Sequence, residues 1–540
     1  MGSVNAPARY LTAARLPLLV GLMLASLLLT ACWPLAEPPA TAPAGSGGLR
    51  LVGWAARTLD PARADDPASL LLVQAIYSGL LTYDAKLNPL PDLASSLPSI
   101  SDDGRTYAFT LRDNLSFHNG RTITAADVKY SIERSCSPAT AAPAPAASLP
   151  CARLLANVRG VADLLAGKSN QAEGIVVLDA SHLNISLNRS DATFLSKLAA
   201  PSNALLDRSL VEGNPTWTLN PVGSGPYLVL KSDQQGVELG RFAAYDGPTV
   251  ALDHITVSDG DGQAAFADGS ADLALVLAGV ASPNVGQLRT AANLRLSYLG
   301  LNTRLKPFDD PLVRHALTLG LDQDALAGAG QPATSLLPPI LRTTTSRFDR
   351  GAALRLLAES SYKGAANLPP IMIHSTGSPL AASVAAILRD SLGLKVSVQA
   401  VEYSDFIRQR SSYQAFVDDY QPAYPGGLAL FEPLLATKGE ANYTGYSNAE
   451  VDRQLAALDE ETDVGKRAAA LRQLEATAND LPLVPLVWQA QTLLVSERVE
   501  GLPLGPYGLE LRRLQLKNPL SANSLQAYPD RRASHYLPSL

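Results

Sequence analysis

Between Tyr83 and Arg134 the chain runs Tyr83-Asp84, Asn88-Pro89-Leu90-Pro91-Asp92-Leu93-Ala94, Asp102-Asp103-Gly104, Thr106-Tyr107-Ala108-Phe109-Thr110-Leu111, Phe117-His118-Asn119-Gly120 and Thr124-Ala125-Ala126-Asp127-Val128-Lys129-Tyr130. Tyr107, Phe109 and Leu111 recur every second residue, the period of a strand with one buried face. Asp102-Asp103-Gly104 turns the chain ahead of that strand, and Asn119-Gly120 makes a tight turn after it. Thr124 is placed to cap a helix whose third residue is Asp127, and Val128 and Ile132 then share one face.

Outward from this stretch, strand and helix patterns interleave. Leu49 to Trp54 reads as a first strand and Leu70 to Leu81 has helical spacing. Cys136 to Asn170 reads as loop and helix. Gly174–Leu178 and Leu183–Leu187 form a strand pair joined by Asp179-Ala180-Ser181, and Phe194 to Leu198 is helical. Asn220-Pro221-Val222-Gly223-Ser224-Gly225-Pro226-Tyr227 contains a Gly-x-Gly. A phosphate site needs a helix start there, whereas Pro226 and Tyr227 lead into strand-like Leu228-Val229-Leu230, so the turn is structural. Asp310 caps a helix with Pro311 in its first position. Leu380–Leu392 is a helix and Lys395–Val398 a strand. Ser447-Asn448-Ala449-Glu450 is a capping box before Val451, Leu455 and Leu458. No internal repeat is visible. Strands separated by helices predict an α/β fold, and 540 residues are too many for one small core.

Composition excludes several classes. Forty-four basic against 50 acidic residues give a net charge of −6, which offers nucleic acid no basic surface. The six histidines, His118, His182, His254, His315, His374 and His535, never fall at metal-ligand spacing, and no Cys-x-x-Cys occurs, so neither metal nor cofactor is expected. There is no P-loop. Gly445-Tyr446-Ser447-Asn448-Ala449 comes near a nucleophile elbow, but Ala449 replaces the needed glycine and Ser447 reads as a cap. A hydrolase with a dispersed site stays open as the minor alternative.

The N-terminus reads as an address. Arg9 and Arg15 precede an apolar run from Leu16 to Leu29, too short for a comfortable spanning helix, and no acid occurs before Glu37. Leu29-Thr30-Ala31-Cys32 looks like a bacterial lipobox, which would make lipidated Cys32 the first mature residue. A plain membrane anchor or an ordinary cleaved signal is the alternative. Loss of residues 1–31 removes two arginines and no acid, so the mature charge is 42 − 50 = −8. Residues 32–48 read as a flexible Pro/Ala/Gly/Ser tether. Cys136 and Cys151 remain, either bonded across an Ala/Pro-rich loop or present as two buried thiols.

In full order, the Tyr83–Arg134 stretch resembles the signature of the extracytoplasmic solute-binding proteins of family 5, the peptide, oligopeptide and nickel receptors of ABC importers. Further matches are Thr58-Leu59-Asp60-Pro61, the turn at 220–227, Phe266 to Leu273, Tyr298 to Thr303, Pro307 to Leu317 and Leu481 to Leu486. The resemblance implies a bilobed periplasmic-binding-protein-like α/β fold (class II, large cluster C type) with a discontinuous first lobe, an inserted subdomain and a two-strand hinge. The expected division is 49–75 with 172–256 and 488–540 for lobe I, 76–171 for the subdomain and 257–487 for lobe II. It also implies a monomer outside the cytoplasm, lipid-anchored, that hands a peptide or other small solute to a permease driven by a separate ATPase. A sugar, opine or metal chelate is the alternative ligand.

In peptide-binding relatives a tryptophan packs on the ligand and an aspartate three residues later pairs with its α-amine. Here Tyr420 falls at the tryptophan, Ala423 at the aspartate, and Tyr424-Pro425 match directly. Either Asp418 or Asp419 replaces the missing carboxylate, or the ligand has no free amine; a solvated turn is the plain reading of the two aspartates. Arg57, Thr58 and Leu59 are expected to meet the ligand from the first lobe, with Asn302 and Trp488 near the crossings as further candidates.

Overall fold

The structure is a computed structural model that describes residues 48–144, 148–276, 287–328, 330–338, 348–477, 481–505 and 507–517. The expected signal peptide, the Cys32 lipidation site and all of the tether but Gly48 lie outside the described residues.

The strands that build the fold are, in chain order, β1 (Gly48–Val52), β2 (Ser99–Ile100), β3 (Thr106–Thr110), β4 (Ile175–Val177), β5 (His182–Ser186), β6 (Tyr227–Asp233), β7 (Gly236–Arg241), β8 (His254–Ser258), β9 (Leu273–Val276), β10 (Gln287–Leu301), β11 (Ile371–Ser375), β12 (Val396–Ala400), β13 (Ala415–Tyr420) and β14 (Leu483–Val495). The helices that position the site are α1 (Pro67–Ile76), α2 (Ala125–Ser135), α3 (Phe194–Leu198), α4 (Pro311–Gly320), α5 (Pro379–Leu392), α6 (Leu428–Leu435) and α7 (Ala449–Glu460).

One mixed sheet runs β12-β11-β13-β10-β14-β9-β1-β8-β7-β6. Strand β1 lies parallel to both β8 and β9, and β11 lies parallel to β12 and β13. Parallel neighbours need crossover connections, which is where the intervening helices sit. The middle of the sheet is the antiparallel pair β10 and β14, 15 and 13 residues long. One half of this pair holds β9 and β1 (Leu273 opposite Val495); the other holds β13 (Leu301 opposite Ala415). The register shifts between Ala292 and Leu296 and again between Ser297 and Tyr298, next to Pro485, which has no N–H to give the ladder.

The apolar cores follow this division. A core on the β1 side draws on Leu49, Leu51, α1, Ile255, Val257, Leu493 and Leu509. Two cores on the other side draw on Leu299, α4, α5 and Val484, and on Leu296, Tyr298, α6, α7 and Trp488. A further core joins Tyr107, Phe109, α2, the β2-β3-β5-β4 sheet and α3. The opening reading holds in detail there: Tyr107 and Phe109 are buried, and Thr124 N and Oγ1 both donate to Asp127 (2.9 and 3.0 Å). Cys136 and Cys151 form a disulfide behind α2.

Three expectations shift. The helix expected over 70–81 runs Pro67–Ile76, with Asp66 as its cap. It stops at Ile76 because the 220–227 turn is seated on its last carbonyl: Gly225 N donates to Ile76 O, and a Cβ at Gly223 would lie 2.0 Å from that oxygen. A lobe boundary at 256/257 would cut β8, which pairs with β1 as far as Ser258 and is followed by β9 in the same half of the sheet. The subdomain core extends past residue 171 to Leu205, since β5 and α3 supply its buried side chains. These boundaries depend on which strands pair, which local patterning does not encode.

Candidate ligand-binding seam between the two lobes

The chain after β13 leaves the second lobe and packs on the first. Tyr424 is 5 % exposed and, with Ala429, belongs to the core built from residues 80–205; Ala423 packs against it. Tyr507 Oη, from the β1-side core, donates to Ala423 O (2.9 Å). Tyr83 packs near Tyr507, their ring centroids 6.1 Å apart, and donates to Ser196 O. Tyr420 is buried on the second-lobe side, its hydroxyl 3.5 Å from Glu440.

Charges line this aromatic patch. Lys197, on α3, places Nζ 2.8 Å from Asp191 and 3.8 Å from Asp459 of α7, and 5.4 Å from the Tyr424 ring centroid. Arg189 pairs with the other oxygen of Asp459, and Ala192 N donates to Asp459 O (2.9 Å). Arg153 lies 3.7 Å from Glu440. Burial pushes the Tyr424 hydroxyl up to about 12, and it raises the Glu440 carboxyl too.

Of the residues expected from sequence, Tyr420, Ala423 and Tyr424 stand at the seam. The others lie elsewhere. Arg57 has an exposed side chain 3.6 Å from Asp66, and its N–H and that of Thr58 both donate to Ser69 Oγ. Leu59 is turned into the β1-side core and its carbonyl accepts from Tyr77 Oη. Asn302 is 2 % exposed and spends its amide on the Ser411 and Tyr413 carbonyls and on Arg304 N, which locks a turn. Trp488 is buried opposite Leu296 in a second-lobe core, not at an open crossing. Asp418 is paired with Arg410 (2.9 Å), and Arg410 lies 3.5 Å over the Tyr443 ring. Asp419 accepts from Ser297 Oγ (2.6 Å) and faces Arg295 (3.4 Å). Two concavities, one by Tyr77, Tyr83 and Arg512 and one between α7 and the helix after it, contain none of the expected residues.

Sequence reading missed Arg189, Asp191, Lys197, Glu432 and Asp459. The one available signal was Lys197 itself, a charge inside the apolar run Phe194-Leu195-Ser196-Lys197-Leu198-Ala199-Ala200.

Two lobes joined through a pair of long strands, with an aromatic and charged seam between them, define a protein that encloses a solute. Residues 88–442 match the bacterial extracellular solute-binding proteins, family 5, and the chain belongs to that family. It is 26 % identical over 490 residues to the glutathione-binding protein GsiB of Salmonella typhi, covering 84 % of this chain and 91 % of that protein. Its fold matches the murein tripeptide-binding protein MppA in its unliganded open form (TM-score 0.74, 22 % identity, 89 % of this chain and 99 % of that one). It also matches Haemophilus influenzae OppA in complex with RPPGFSPFR (TM-score 0.66, 22 % identity, 87 % and 99 %). The family is one of solute-binding proteins rather than enzymes. Among the described residues no group of three His, Cys, Asp or Glu side chains is placed to hold a metal ion, and no helix is long and apolar enough to cross a membrane.

Proposed function

We propose that this protein is the extracytoplasmic substrate-binding component of an ABC importer, and that it captures a peptide-like solute offering no free ammonium. The observation that carries this reading is the seam, where Ala423 and Tyr424, just after a second-lobe strand, pack with Tyr83 on the first-lobe core and Tyr507 donates to Ala423 O. The names of its relatives support a short peptide as ligand: GsiB for glutathione, MppA for a murein tripeptide, OppA for an oligopeptide.

The positions where the sequence placed an amine anchor do not supply a free one. Ala423 has no charge, Asp418 is spent on Arg410, and Asp419 on Ser297 and Arg295. An ammonium enclosed without a counter-charge costs several kcal/mol. A blocked or otherwise amine-free peptide fits this seam. A sugar, opine or metal chelate is the second reading.

Native mass spectrometry of freshly purified protein is expected to find a carried-over solute of that kind. Adding it back should compact the protein in small-angle scattering, because a ligand that touches both lobes shifts the equilibrium by its difference in affinity for the two states. Tight binding of ordinary free-amine peptides, unchanged in Asp418→Ala and Asp419→Ala, would overturn the charge argument. The importer's permease and a separate ATPase complete the system, and the receptor acts as a monomer.

We also propose a lipid anchor at Cys32, from the apolar run and the small residues before the cysteine. Cys32→Ser is expected to release the protein from the membrane fraction. A mutant that still fractionates with membranes, beside a wild type carrying no lipid by mass, would remove the idea.

A further inference from the structure

Strand β9 pairs with β14 as far as Thr492, and β13 with β10 as far as Leu296. Between these points the two long strands cross from one lobe to the other with only each other for neighbours among the described strands. There Asn293, Leu294 and Arg295 bulge out opposite Gln489. The crossing is polar. Ser297 Oγ donates to Asp419 (2.6 Å), Gln489 Nε2 donates to Ser297 Oγ (3.0 Å), and Asp419 stands 3.4 Å from Arg295. Gln489 and Gln491 lie two apart on β14 and so share a face. Gln491 Oε1 lies against Gly508, where a Cβ would come within 2.8 Å of it, next to Tyr507, whose hydroxyl holds Ala423. This polar face is therefore the one turned to the seam.

Arg295 is the least committed cation there. Among the described residues no hydrogen bond holds its guanidinium. Asp419 is its one charge contact, Nε is buried without a partner, and the side chain as a whole is 40 % exposed. Gln491 Oε1 and Thr492 Oγ1, on the neighbouring strand, are likewise buried without partners, whereas nearly all buried polar atoms of a folded protein are satisfied. The other cations of the seam are engaged more closely: Arg189 with Asp459, Lys197 with Asp191 (2.8 Å) and Arg410 with Asp418 (2.9 Å). Arg153, 3.7 Å from Glu440, is the other loosely held one, on a short subdomain helix rather than on the crossing.

We propose that Arg295 is a ligand anchor of the seam and takes a carboxylate, so that the captured solute is an acidic, amine-blocked, peptide-like molecule. This rests on the receptor reading above and deepens it. A guanidinium carries its N–H donors in a planar fork, with room for Asp419 and a second carboxylate at once. Asp419 does not need all of Arg295, because Ser297 already supplies it a short hydrogen bond. A carboxylate enclosed between the lobes needs a cation for the same reason that an ammonium needs an anion.

The test is competition between N-acetylated tripeptides with a free C-terminal carboxylate and the same tripeptides as C-terminal amides, read by native mass spectrometry on the whole chain. Wild type is expected to retain the acids over the amides by about tenfold or more, the scale of one charge-assisted hydrogen bond. Arg295→Gln should lose that preference. Arg295→Lys should keep part of it, since lysine has the charge without the fork. Arg153→Gln should leave it in place. Equal retention of acids and amides by wild type, a preference undiminished in Arg295→Gln, or one lost in Arg153→Gln instead, would overturn the proposal. Retention of acids and amides alike would leave the receptor reading standing, whereas retention of neither form would remove both. An acid-over-amide preference is a readout that a purely structural role for Arg295 would not move.

Discussion

Replacing Lys197 by methionine is expected to destabilise the protein by about 3–5 kcal/mol, the range for removing one partner of a buried ion pair. Methionine keeps most of the volume, so the loss is electrostatic. The Asp191 side chain is 1 % exposed and has Lys197 as its counter-charge; Thr193 supplies its other two hydrogen bonds. A carboxylate left there has neither water nor cation and must take up a proton or move. Asp459 loses a cation at 3.8 Å in the same step. Denaturant unfolding would measure the cost. The double variant Lys197→Met/Asp191→Asn should recover most of it, since asparagine can still accept from Thr193 without a charge. A single variant within about 1 kcal/mol of wild type, or a double variant no better than the single, would mean that the pair is not the electrostatic unit described.

The second large effect is a loss of stability in acid, located at His118. This ring bridges the Asn119-Gly120 turn to the 220–227 turn: Nδ1 accepts from Gly223 N (3.2 Å) and Nε2 donates to Gly225 O (3.0 Å), while His118 N donates to Gly223 O (2.9 Å). Accepting at Nδ1 requires the neutral ring, and burial pushes the imidazole down from 6.5 to about 4. The folded protein refuses a proton that the unfolded chain accepts. Stability from this group is therefore complete above about pH 6.5 and falls as pH drops to about 4, by roughly 3 kcal/mol over that interval at 1.36 kcal/mol per unit. Urea midpoints of wild type and His118→Gln should converge across this range, because glutamine does not titrate. A gap that stays constant with pH would refute the assignment. The same geometry explains why Gly223 and Gly225 are glycines: both lie on the Ile76 and Ala75 carbonyls where a Cβ has no room.

Much of the fold could be read locally. The β3 alternation, the Thr124 cap of α2, the β4–β5 pair and the Asp310-Pro311 start of α4 each depend on residues within a few positions of one another, and all formed as read. The Gly-x-Gly at 223–225 was legible as structural because Pro226 and Tyr227 forbid a helix start, though the partner it seats on, the end of α1, lies about 150 residues away and was not legible. The site was legible only in part. Tyr420, Ala423 and Tyr424 were read from their order along the chain, and the structure sets Ala423 and Tyr424 where a segment after β13 meets the first lobe. Asn302 and Trp488 stood out as polar or aromatic residues near the crossings, and both turned out to serve the second lobe's own packing.

What the sequence alone determined is the set of local devices and the family they spell. Those are properties of neighbours along the chain: periodicity, caps, turns and a motif in fixed order. What only the tertiary structure decided is which charges meet. Arg189 and Lys197 are about 260 residues from Asp459, and nothing in either segment marks the other. Asp418 and Asp419 look free on paper, yet a strand pairing sets Asp419 beside Ser297 and a turn sets Arg410 on Asp418. Burial and counter-charge belong to the packed assembly of distant segments, so they decide how a carboxylate behaves only after the chain has folded.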